Sequence, residues 1–276
     1  MKLNFTKMEG IGNDYVYFDG INQNIPMDKA FIQKISNRHT GIGSDGMIVI
    51  LPSSQYDFKM RMFNSDGSEA MMCGNGVRCF AKFCYDNQLT NKKVVEVETK
   101  AGLRVVTLNF DGDQVVGARV NMQPPILDPK MIPVLYEGNE MINVNTLIGD
   151  QVYALTALSM GNPHVVTFVE SLDFDIHEIG PLFEKNPLFP QSVNTEFVQI
   201  IDKNNVKMRV YERGSGETLA CGTGACAVVV ASYLNGLTSN VVNVELLGGV
   251  LKIEYIDGTV YMEGPATNVF NGSIEL

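Results

Sequence analysis

Two cysteines in this sequence stand in matched surroundings. Cys73 opens Cys73-Gly-Asn-Gly76, and Cys221 opens Cys221-Gly-Thr-Gly224, 148 residues further on. Each follows a glycine-bearing turn, Ser65-Asp66-Gly67 in one copy and Gly214-Ser215-Gly216 in the other, and each precedes a helical stretch, Val77 to Asp86 and Ala225 to Leu234. That order puts each thiol at or just before a helix N-terminus, where unpaired N–H groups and the helix dipole favour an anion. The same field lowers a thiol's pKa and makes thiolate accessible near neutral pH. The glycines let the backbone come close to a ligand. The N–H groups of Gly74, Asn75, Gly222 and Thr223 could then hold a carboxylate. If the two halves face each other across a pseudo-twofold axis, the two sulfurs meet over one ligand. One thiolate removes a proton from a carbon and the opposite thiol returns one to the other face, which inverts a stereocentre. An amino-acid α-proton is very weakly acidic, so such a site must stabilise the carbanion and exclude water.

The match extends beyond the cysteines. At the same spacing of 148, Lys59-Met60-Arg61 precedes Lys207-Met208-Arg209, Glu69 precedes Glu217, and Tyr85 and Asn87 precede Tyr233 and Asn235. Gly12-Asn13 pairs with Gly161-Asn162 at 149, and Val97-Glu98 with Val244-Glu245 at 147. Offsets that drift while order is kept are the mark of a duplicated unit with small insertions. Two copies do not make a solenoid; they make two homologous domains. Each reads as mostly strand with one main helix, with turns at Asp111-Gly112-Asp113 and Asp257-Gly258. Gln123-Pro124-Pro125 is read as the linker, since paired prolines break both structure types. The expected domains are 1–122, with a tail 265–276 that could return to it, and 123–264.

Other residues compete for attention. Cys79, Cys84 and Cys226 lie inside the helical stretches and read as core, where cysteine is most often found. The spacings are not those of a zinc knuckle, and on a helix Cys79 points about 240° away from Cys73, so no metal is expected. Gly41-Ile-Gly43-Ser-Asp-Gly46 fits a dinucleotide-binding pattern but has a helical stretch before it and a strand after it, the reverse of what the motif needs. His164, in Gly161-Asn162-Pro163-His164, ranks above His39 and His177 because it follows the repeat of the Gly12-Asn13 element. Glu212-Arg213 ends the strand before the second cysteine loop, where Asn64-Ser65 ends the first; strand ends beside such loops often carry ligand contacts.

The 276 residues suit one or two domains, and 45% hydrophobic against 19% charged residues exclude a disordered chain. The net charge of −10 argues against a nucleic-acid partner. No signal-peptide or membrane-span pattern is evident, so the expected compartment is the cytoplasm. Five cysteines, an odd number, fit free thiols.

The motifs in order resemble the diaminopimelate epimerase family over nearly the whole chain. They are Lys7-Met8-x-Gly-x-Gly-Asn13-Asp14-Tyr15, Arg38-His39-x-Gly41-Ile42-Gly43-x-Asp45-Gly46, Asn64-x-Asp66-Gly67-Ser68 through Cys73-Gly74-Asn75-Gly76-x-Arg78-Cys79, Gly161-Asn162-Pro163-His164, and Glu212-Arg213-Gly214 through Cys221-Gly222-Thr223-Gly224. The resemblance implies an α/β fold of the α+β kind: two pseudo-symmetric domains, each a mainly antiparallel sheet wrapped around a central helix, with the tail packed on the first. It implies interconversion of L,L- and meso-diaminopimelate, in lysine and peptidoglycan-precursor synthesis, without pyridoxal phosphate or metal. Cys73 and Cys221 become the acid/base pair, and His164 and Glu212 tune their pKa. Gly74, Asn75, Gly222 and Thr223 hold the carboxylate at the reacting centre. Asn13, Asn64, Asn162, Asn194, Glu212 and Arg213 hold the other polar groups of the substrate. A homodimer is implied as well. Gly46 stands where some members carry a substrate-contacting glutamine, and Glu9 where many carry histidine.

The nearest rival is a related cofactor-independent racemase acting on proline, hydroxyproline or a basic amino acid. A single-ended substrate would leave Arg213 and Asn64 unpaired, at a cost of about 1–3 kcal/mol for each buried group. A non-catalytic small-molecule binder would keep its affinity when both cysteines become serine. Facing thiols would also oxidise to a Cys73–Cys221 disulfide, and peptide mapping of air-oxidised protein tests that.

Overall fold

The computed structural model describes residues 2–275. The chain falls into two compact units. One runs to Asn121 and takes in the tail from Glu263, and the other spans Met122–Met262. The first unit is built from β1 (Lys2–Gly10), β2 (Asn13–Asp19), α1 (Lys29–Ser36), β3 (Gly46–Leu51), β4 (Phe58–Asn64), the short β5 (Glu69–Ala70), α2 (Gly74–Asp86), β6 (Val94–Thr99), β7 (Gly102–Asp111) and β8 (Gln114–Gln123). The second has β9 (Val144–Ile148), β10 (Gln151–Ser159), β11 (Pro163–Phe168), α3 (Ile176–Glu184), β12 (Asn194–Ile200), β13 (Asn205–Glu212), the short β14 (Gly216–Glu217), α4 (Gly222–Leu234), β15 (Val241–Leu246) and β16 (Gly249–Ile256). After the Asp257-Gly258 turn come β17 (Thr259–Pro265) and β18 (Thr267–Glu275).

Strand pairing repeats from one unit to the other. In the first, β1–β2, β3–β4, β4–β5 and β6–β7 are antiparallel, while β2–β3 and β4–β6 are parallel. In the second, β10–β11, β12–β13, β13–β14 and β15–β16 are antiparallel, while β11–β12 and β13–β15 are parallel. The duplication read from residue spacing is thus a duplication of topology. The two differ at the strand beside the first of each set: β1 pairs with β18 from the tail, and β10 pairs with β9.

Each mixed, mainly antiparallel sheet wraps one helix. Helix α2 packs against β1, β2, β3, β6 and β7, and α4 against the equivalent β10, β11, β12, β15 and β16. Enclosure explains the composition of α4, in which Gly224 through Ser232 are all buried; a helix apolar on every side has no face to show to water. The smaller helices cover the outside of the sheets. Asp28 caps α1, accepting from the Phe31 N–H at 3.0 Å, and Phe31, Ile32 and Ile35 pack with Phe18, Met47 and Val49. On the second unit, Ile176 and Phe183 of α3 pack with Val165 and Phe197.

The central helices begin at Gly74 and Gly222, ahead of the Val77 and Ala225 expected from the sequence. Glycine lowers local helix propensity, so these starts read as loop. What opens them is the cysteine. In each case it is the N-cap residue, and its sulfur accepts from the N–H three residues on, Gly76 at 3.3 Å and Gly224 at 3.4 Å.

Candidate active site

In the first unit Cys73 is half-buried at the N-cap of α2 and donates to Asn13 Oδ1 at 3.1 Å. The order of charges behind Asn13 explains its orientation. Asn13 Nδ2 donates to Asp45 Oδ2 at 2.7 Å; Asp45 Oδ1 pairs with Arg38 at 2.9 Å, and Arg38 grips Asp14 through both terminal nitrogens. Lys7, itself buried, reaches both Asp14 and the Gly43 carbonyl. Despite its burial, Asp14 is held below the usual carboxylate range by its bonds to Arg38 and Lys7. Beneath the thiol lies Tyr15, whose hydroxyl is pushed well above its ordinary pKa by burial, with the Cys73 and Asp45 charges acting the same way. Asn64 is exposed at the end of β4 and donates to Ser68 Oγ at 3.0 Å. The Asn75 side chain turns inward, where its Oδ1 accepts from Arg78 at 3.0 Å. Its backbone N–H, with that of Gly74, belongs to the first turn of α2, where N–H groups lack intrahelical partners.

In the second unit Cys221 is buried at the N-cap of α4, 3.6 Å from the Thr223 hydroxyl. His164, also fully buried, lies opposite Asn194 in the parallel β11–β12 register. Its Nδ1 is 2.7 Å from Glu196 Oε1 and its Nε2 is 3.0 Å from Asn162 Oδ1. Asn194 ties the strand ends together: its Nδ2 donates to the Pro163 carbonyl at 2.9 Å, and its Oδ1 accepts from the Arg213 N–H at 3.0 Å. Glu212 is half-buried and accepts from the Thr218 hydroxyl. The Arg213 side chain is exposed and donates to the Gln191 carbonyl at 2.9 Å.

One expectation needs correction. A helix start was expected to depress both thiol pKa values. At Cys221 the thiol is instead pushed well above its ordinary range, first by burial and then by the Glu212 and Glu196 charges. The Thr223 hydroxyl and the Gly224 N–H act the other way and are outweighed. A dipole end offers about half a charge, whereas two nearby carboxylates offer up to two.

Cys79, Cys84 and Cys226 are buried and form no disulfide. Burial pushes Cys79 up to about 11, which keeps it inert. Gly46 is forced by close packing: a Cβ there would lie 1.9 Å from the Phe63 carbonyl oxygen across the β3–β4 pair. A glutamine at this position has no room on this backbone. Among the described residues, no group of three or more His, Cys, Asp or Glu side chains is placed to hold a metal ion.

Glu196, Tyr15 and Asp45 are the site residues that sequence reasoning did not single out. For Glu196 a signal was present: a lone acid within the strand Asn194–Ile200, among Thr195, Phe197 and Val198. Inside a strand buried on both faces, an acid needs a partner.

The fold matches solved structures over nearly the whole chain. It matches a probable proline racemase from Agrobacterium radiobacter with a TM-score of 0.72 at 14% identity, covering 99% of this chain and 93% of the other. It also matches a phenazine biosynthesis PhzF-family protein of Enterococcus faecalis, with a TM-score of 0.71 at 15% identity over the full length of both. Identities this low establish architecture alone. Sequence narrows it further. The family model described as Diaminopimelate epimerase matches residues 5–127 and 156–269. The diaminopimelate epimerase of Methanococcus maripaludis strain S2 is 52% identical over 99% of this chain and 100% of its own length. That of Acetivibrio thermocellus is 49% identical over 99% of both. The chain belongs to the diaminopimelate epimerase family.

Proposed function

We propose that this enzyme interconverts L,L- and meso-diaminopimelate, with Cys73 and Cys221 as the acid/base pair. The observation that carries the reading is the repetition of one device: in each duplicated unit a cysteine caps the enclosed central helix, directly before glycine-rich N–H groups. Relatives about half identical over full length support the substrate, and the matches to a proline racemase and a hydroxyproline epimerase, at 14% and 13% identity, give no reason to prefer theirs.

The reaction needs the two half-sites to close on one α-carbon. A thiolate takes the α-proton and becomes a thiol; the opposite thiol gives a proton to the other face and becomes a thiolate. The electron pair left on carbon spreads into the α-carboxylate. The N–H groups of Gly74, Asn75, Gly222 and Thr223 meet that charge with preorganised dipoles. Asn13, Asn64, Asn162, Asn194, Glu212 and Arg213 are the groups we assign to the remaining polar ends of the substrate. His164 and Glu212 act on the thiols through charge. No pyridoxal phosphate or metal enters this scheme. We further place the enzyme in the cytoplasm as a homodimer serving lysine and peptidoglycan-precursor synthesis; sedimentation checks the assembly.

Incubation with L,L-diaminopimelate in D2O, without added cofactor, tests the proposal. Wild type should place deuterium at one α-carbon and yield meso product, and Cys73→Ala and Cys221→Ala should abolish both. No exchange in well-folded wild type would redirect the search to single-ended amino acids.

A further inference from the structure

A buried carboxylate stands beside the second thiol, at a position where the first unit has isoleucine. The duplication pairs Glu196 with Ile48, each the third residue of its strand, β12 and β3. Each lies against the first turn of the helix that its cysteine caps. A Cβ on Gly76 would lie 2.8 Å from Ile48 Cδ1, and a Cβ on Gly224 would lie 2.7 Å from Glu196 Oε1. The second point is also 3.2 Å from Cys221 Sγ, so carboxylate and sulfur border the same small space. Glu196 is fully buried; its Oε1 is held by His164 Nδ1 at 2.7 Å, and its Oε2 has no hydrogen-bond partner among the described residues. Burying a half-satisfied carboxylate is costly. Packing does not require it, since the first unit fills the equivalent place with isoleucine.

We propose that Glu196 is a positioning residue for the reaction: held by His164, its carboxylate keeps Cys221 protonated in the resting enzyme. This rests on the reading of the two cysteines as acid and base. The groups facing Cys221 are Glu196 on β12, Glu212 at the end of β13, the Thr223 hydroxyl and Gly224 N–H on α4, and His164 on β11 behind Glu196. Those facing Cys73 include the Asn13 amide, the hydroxyls of Tyr15 and Tyr17, the buried Cys79 thiol, and Asp45 behind Asn13 and already paired with Arg38. A thiolate at Cys221 meets two carboxylates. Burial raises the Glu196 pKa, and the charge and hydrogen bond of His164 act against that rise.

The test is alkylation by iodoacetamide as a function of pH, with each cysteine followed by peptide mass mapping, on the full chain and on Glu196→Gln and Glu196→Ile. In wild type the midpoint for Cys221 should lie above the ordinary thiol range. In both variants the Cys221 midpoint should fall by about one pH unit, as for loss of one nearby like charge, while that of Cys73 stays. The alkaline limb of kcat should move down with it, with KM little changed. An unmoved Cys221 midpoint in either folded variant overturns the proposal, as does a wild-type Cys221 midpoint within or below the ordinary thiol range. Glu196→Ile carries the residue of the first unit and keeps the test open if Glu196→Gln fails to fold. Alkylation needs no substrate, so failure of the D2O exchange would count against the reaction and leave this readout intact.

Discussion

His164 Nδ1 lies 2.7 Å from Glu196 Oε1 and neither side chain is exposed, so the second unit carries a buried acid–histidine pair next to its cysteine. Removing one partner leaves the other stranded. His164→Ala should cost about 3–5 kcal/mol of stability. The loss should depend on pH in a known direction. The folded-state pKa of Glu196 is raised by burial, so its contribution is most favourable below the unfolded carboxyl pKa and is lost as pH rises through the folded value. Without His164 that slope steepens, and His164→Ala combined with Glu196→Gln should flatten it. Denaturant melts at several pH values between 4 and 8 check both.

The rate should follow a bell in pH, since one thiol must be ionised and the other not. Because the Cys221 thiol is pushed up by burial and two carboxylates, the alkaline limb should lie above the ordinary thiol range. A profile flat through that range would sink the paired-thiol scheme.

Cys79 offers a cleaner linkage measurement away from the chemistry. Its folded pKa of about 11 exceeds the ordinary thiol value near 9. Its contribution is complete below pH 9 and is lost between 9 and 11 as the unfolded thiol ionises first. By pH 10.5 the loss is about 2 kcal/mol. Cys79→Ala should reduce the stability difference between pH 8 and pH 10.5 by that amount, whatever it does to stability at pH 8.

Gly46→Gln should destabilise the first unit by about 1–3 kcal/mol, because its Cβ would meet the Phe63 carbonyl oxygen at 1.9 Å and part β3 from β4. Activity should fall as well, since Asn64 pairs opposite Gly46. A variant with wild-type melting temperature and full turnover would show that this backbone yields more easily than its packing implies.

The two helix starts should answer differently to a methyl group. In Gly76→Ala the new Cβ meets the tip of Ile48, which can rotate; in Gly224→Ala it meets the Glu196 carboxylate that His164 holds in place. Thermal melting should show the larger loss for Gly224→Ala. Equal losses would mean that the His164–Glu196 pair shifts freely.

Much of this protein could be read before folding. The spacing between Lys59-Met60-Arg61 and Lys207-Met208-Arg209 announced the duplication, and those residues fall on the equivalent β4 and β13. Glycine-flanked cysteines announced the helix starts, because capping depends on a few adjacent residues. Local order determines local structure in this way, and repetition determines it twice. What the sequence could not contain was the company each side chain keeps. Glu196 lies 32 residues from His164 and near Cys221 only because β11, β12 and α4 pack together. The same packing buried Cys221 and reversed the expected shift of its thiol. Electrostatics in a low-dielectric interior depends on distances of a few ångströms between residues remote in sequence, and those distances exist only once the sheet has closed around its helix.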